Sequence, residues 1–71
     1  MHDRLAIHIL DTIKLSLKLH VGSVQYLHAD GRLLWRVDAR NNDGERWAAE
    51  DEDLYKASVM LAELVGFDLE E

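Results

Sequence analysis

The sequence contains no cysteine and no proline. Without cysteine there is no disulfide scaffold, no thiolate zinc site and no thiol nucleophile. Glycine is scarce, at four residues, each placed where a turn or a cap needs one. None is left for a phosphate-cradling loop or a dinucleotide fingerprint. No apolar run reaches membrane-spanning length without a charge. The first residues, Met1-His2-Asp3-Arg4, lack the basic start and small-residue cleavage site of a signal peptide. A cytoplasmic protein off the membrane is therefore expected. Basic residues are in deficit, eight Lys/Arg against fourteen Asp/Glu, for a formal charge of −6. That balance disfavours direct nucleic-acid binding, which draws on attraction to phosphate.

The chain has 71 residues, of which 48% are hydrophobic, too many for a disordered acidic tail. Residues 1–71 are read as one small domain. A chain near this size buries only about 60% of its unfolded surface and is marginal alone. With no disulfide and no evident metal, self-association is the expected supplement.

Residues 3–20 read as a helix with Asp3 as N-cap and Gly22 just past its end. Leu5, Ala6, Ile9, Leu10, Ile13, Leu17 and Val21 fall within one arc of about 160°. Ile7, Leu15 and Leu19 project from the otherwise polar side and mark the expected homodimer interface. A strand pattern competes here, because Ile13, Leu15, Leu17, Leu19 and Val21 alternate with polar residues.

Residues 23–29 and 32–39 read as a hairpin about a two-residue Asp30-Gly31 turn. That register pairs Tyr26 with Trp35, Val24 with Val37 and His28 with Leu33 on a core face. Leu27 and Leu34 then meet on the solvated face. A three-residue Asn42-Asp43-Gly44 loop sets Trp47 opposite Ala39, on the core face, and gives a third strand at 45–48. Residues 50–65 read as a second helix with an apolar stripe at Leu54, Ala57, Ser58, Leu61, Leu64 and Val65. Gly66 and Phe67 fit a Schellman end. The fold class is α+β: helix, three-stranded antiparallel meander, helix, in the order α-β-β-β-α.

Charge divides unevenly. Residues 1–40 carry six basic and four acidic side chains, net +2, and residues 41–71 carry two basic and ten acidic, net −8. The run Glu50, Asp51, Glu52, Asp53 is expected in the first turn of the second helix, where the macrodipole favours carboxylates. With Glu63, these residues are also the candidate contacts for a basic protein partner, including as a phosphate mimic. Arg32, Arg36 and Arg40 share the outer face of the second strand. They form the alternative surface, for nucleic acid or for the acidic side of another copy.

Catalytic and metal signals are absent. His2, His8, His20 and His28 show no His-x₃-His or His-Glu-x₂-His spacing. Residues 39–50 resemble an EF-hand calcium loop at Asn41, Asp43, Gly44 and Glu50, but Ala39 stands where a carboxylate is required and a strand precedes it. Ser16, Ser23, Ser58 and Thr12 lie in no nucleophile elbow. No cofactor is expected. The expected function is a small acidic, non-enzymatic protein-interaction module acting as a homodimer, an adaptor or inhibitor. The alternatives are a nucleic-acid binder and a structural homo-oligomer subunit.

Overall fold

The computed structural model describes residues 3–67. Expectations placed on His2, on the Asp3 cap and on the tail Asp68–Glu71 lie outside the described residues and side chains. The elements are α1 Asp3–Leu17, β1 His20–Leu27, β2 Leu33–Arg40, β3 Arg46–Asp51 and α2 Leu54–Leu64. The strands form one antiparallel sheet in the order β1-β2-β3. This is the expected α-β-β-β-α fold.

Helix α1 stops earlier than its periodicity suggests. Lys18 takes the left-handed conformation at φ +56°, and Leu19 N–H donates to the Lys14 carbonyl at 3.2 Å. That bond is the long one of a Schellman end, with lysine in the position glycine usually holds. The alternating pattern wins from Leu19 onward because it buries Leu19 and starts β1 pairing at His20↔Arg40. Gly22 therefore sits within β1 and caps nothing.

Both hairpin loops are built alike. His28 N–H donates to the Arg32 carbonyl and Asn41 N–H to the Glu45 carbonyl, each around a three-residue loop. The last loop residue, Gly31 or Gly44, has φ near +90°, which an L side chain resists. The second loop is the expected one, and Trp47 pairs with Ala39. The first carries one residue more than expected. Asp30 holds it, accepting from Arg32 N–H at 3.1 Å and from Arg32 Nε at 2.9 Å.

That extra residue moves β1 by one position. Tyr26 faces Leu34, Gln25 faces Trp35 and Ser23 faces Val37. A slip of one residue turns every side chain of a strand over. Trp35, Val37 and Ala39 keep the core face on β2, but on β1 they are joined by Val21, Ser23, Gln25 and Leu27. Tyr26, Val24 and Leu34 lie on the outer face.

The core brings together Ala6, Ile9 and Ile13 of α1, Leu19 just before β1, Val37 and Ala39 of β2, Ala49 of β3, and Leu54, Ala57, Leu61 and Ala62 of α2. Three fully buried alanines, Ala6, Ala57 and Ala62, remove bulk from the two helices, which pack on each other. Helix α2 covers β2 and β3, whereas α1 reaches the sheet only at β1 and sparsely. Ser58 is buried within α2, and its hydroxyl donates to the Leu54 carbonyl at 2.8 Å. The shortest dimension, 15 Å, has room for one sheet and one layer of helices. Among the described residues no element covers the other face of the sheet. No helix among the described residues is long and apolar enough to cross a membrane.

Candidate protein-interaction surface

The register arranges the open face in rows. His20, Arg40 and Arg46 form the first, Gly22, Asp38 and Ala48 the second, and Val24, Arg36 and Glu50 the third. Tyr26 and Leu34 form the fourth. Leu34 is only 7% exposed, yet it lies outside the central core cluster, on this polar face.

The Glu50 carboxylate joins three strands. Tyr26 donates its hydroxyl to Glu50 Oε2 at 2.7 Å, and Arg36 Nη1 donates to the same oxygen at 3.3 Å. The Tyr26 hydrogen bond and the Arg36 guanidinium hold the Glu50 carboxyl below its ordinary value. The same hydrogen bond, with Glu50 negative charge beside it, raises the Tyr26 phenol. Asp30 is likewise lowered, first by Arg32 N–H and then by the Arg32 side chain. Arg32 Nη1 also reaches Glu52 Oε2 at 3.3 Å.

These contacts rearrange the expected acidic contact set. Glu50 and Asp51 belong to β3 and point to opposite faces of the sheet, and the first turn of α2 holds no carboxylate. Asp51 accepts from Asp53 N–H at 2.9 Å, and Asp53 caps α2 by accepting from Tyr55 N–H at 3.0 Å. The helix starts late because β3 continues to Asp51, carrying Ala49 into the core. Glu52 is paired with Arg32, and Glu63 stands exposed on α2. The five do not share one surface.

The arginine set divides too. Arg36 and Arg32 are engaged by carboxylates, while Arg40 lies in the first row, directly opposite Arg46. Among the described residues no carboxylate comes within 4.0 Å of Arg40 or Arg46. Directly opposed like charges destabilise a sheet. His20 Nε2 lies 3.3 Å from Asn42 Oδ1 at the end of that row. Arg46 is missing from the sequence-derived set, although the Trp47–Ala39 register implies its place opposite Arg40.

Of the expected dimer residues, Leu19 is 8% exposed and belongs to the core, because the chain has already left the helix there. Ile7 and Leu15 remain exposed, at 56% and 75%. They sit eight residues apart, about 80° around the helix. Ile7 lines a groove between α1 and β1 with Leu10, Asp11, Lys14, Val21 and Ser23.

The sheet's two edges, unpaired among the described residues, differ. Strand β3 has six residues and carries Arg46, Glu50 and Asp51. Strand β1 has eight, and from Val21 to Leu27 none is charged. Only Val21 and Tyr26 of β1 are even half-buried, and Leu27 is 67% exposed. The hydrogen bond from His28 to Arg32 fixes the parity of the ladder. Even-numbered residues of β1 bond to β2, and Val21, Ser23, Gln25 and Leu27 turn their backbone N–H and C=O groups outward.

No family model matches the chain, and neither a curated protein nor a solved structure matches it.

Proposed function

We propose that the chain is a small acidic, non-enzymatic protein-interaction module whose contact edge is β1. The observation that carries this reading is the uncharged free edge at 21–27. Folded proteins ordinarily blunt such an edge with charge, proline or a covering element. Here β3 has charge, and among the described residues β1 has none of these from Val21 to Leu27. A strand from a protein partner laid along β1 gains the outward backbone bonds of Val21, Ser23, Gln25 and Leu27. The groups with displaced proton affinities satisfy each other in pairs at the surface, Tyr26 with Glu50 and Asp30 with Arg32. That supports binding over acid–base chemistry, which needs such a group turned toward a substrate.

The test is capture from host extract by the native chain and by Gln25→Pro. Proline removes an outward N–H and leaves the β1–β2 ladder intact. A stoichiometric protein retained by the native chain and lost by the variant is expected. Equal retention by both, or recovery of nucleic acid through Arg40 and Arg46, overturns the edge as the contact.

A further inference from the structure

We infer that the strand received by β1 is β1 of a second copy of this chain, paired antiparallel about a two-fold axis at Val24. The inference rests on the edge reading above and names its occupant. For both copies to present the same face, residues of like parity must oppose each other. The register that pairs the whole uncharged run with itself meets this condition. It sets Val24 beside the partner's Val24 on the outer face, and Val21 opposite the partner's Leu27 on the inner face. Tyr26 comes to stand across from the partner's Gly22, its ring drawn back over β2 by the hydroxyl bond to Glu50. At the rims His20 meets the partner's His28.

Charge chooses a second copy over a basic partner at this edge. The surplus of negative charge belongs to residues 41–71, with ten acidic and two basic side chains. Of these, the described residues belong to the β3–α2 half, and the sheet order puts β3 at the edge away from β1. Joining two copies at β1 gives six strands, with the two β3 strands about 24 Å apart at the usual strand spacing. Repulsion over that distance is largely screened, since the Debye length is about 8 Å at physiological salt. A basic partner, drawn to the acidic half, has no such reason to choose β1. The two-fold also sets both α1 helices on the same face beside the seam. The groove holding Ile7 opens there, with Asp11 and Lys14 offering opposite charges to an antiparallel neighbour.

Sedimentation equilibrium from micromolar to hundreds of micromolar chain tests the inference on the native protein, Gln25→Pro, Val24→Lys and Leu15→Glu. Twice the 8.2 kDa chain mass is expected for the native protein and for Leu15→Glu. Gln25→Pro and Val24→Lys should weaken association at least tenfold, with circular dichroism unchanged. If Gln25→Pro does not fold, Val24→Lys decides, since Val24 is exposed on the outer face. A dimer that Leu15→Glu splits and Val24→Lys leaves alone overturns the inference. So does a native monomer at every concentration. A native monomer whose captured partner is still lost in Gln25→Pro overturns the second copy alone. If that partner is retained as well, the edge reading falls with it.

Discussion

At the scale of single residues, Glu50 ties the open face together. Its carboxyl is held below the ordinary glutamate value, with the Tyr26 hydrogen bond first among the causes and Arg36 after it. A lowered folded-state value contributes stability above the unfolded pKa of about 4.3, and this is lost as pH falls through the folded value. Tyr26 is raised, so its contribution is present below about pH 10 and is lost as pH rises through the folded value. Glu50→Gln is therefore expected to bring one late-ionising tyrosine back toward its ordinary value in an alkaline absorbance titration. Its stability deficit against the native chain should shrink as the solution is acidified below pH 4. The sequence did not announce this contact. It requires Tyr26 on the outer face, and the first Asp-Gly pair suits a two-residue turn as well as a three-residue one. The longer loop is held by contacts local to it, Asp30 with Arg32 and with His28, which no distant residue signals. At the second loop Trp47 needed a buried partner, so the same ambiguity was resolved from the sequence.

At the scale of elements, the boundaries that sequence periodicity misplaced are those where two patterns overlap. Residues 13–21 carry helical and strand spacing together, and the chain uses both, helix to Leu17 and strand from His20. The join is a left-handed Lys18 at φ +56°. A non-glycine residue in that region costs roughly 1–2 kcal/mol. Lys18→Gly should therefore stabilise the fold by about 0.5–1 kcal/mol, after the glycine's greater unfolded entropy and the lost charge at the helix end are subtracted. Chemical denaturation of the two proteins measures the difference, and a destabilised variant would contradict the cap. At the other helix, Gly66 and Phe67 were legible because they state one instruction. Phe67 N–H donates to the Ala62 carbonyl at 2.8 Å and Gly66 N–H to Glu63 at 3.2 Å. The acidic run reads as a helix start by composition. Alternation through Trp47, Ala49 and Asp51 claims its first half for β3 instead.

At the scale of the whole molecule, one layer of helices covers one face of a three-stranded sheet, and covers it unevenly. Helix α2 takes β2 and β3, α1 leans on α2, and β1 is left thinly covered. The basic-leaning half of the chain includes this exposed strand, while the acidic half includes the charged edge at β3. The proposed β1 pairing would give the self-association that small size suggests a place away from Leu19, which is spent in the core. Amide hydrogen exchange followed by NMR at low and high protein concentration tests the claim most directly. The even-numbered amides of β1 bond to β2 and should be protected at both concentrations. Those of Val21, Ser23, Gln25 and Leu27 should exchange freely when dilute and become protected as the concentration rises. If these four stay fast at every concentration, β1 receives no second copy and the account fails.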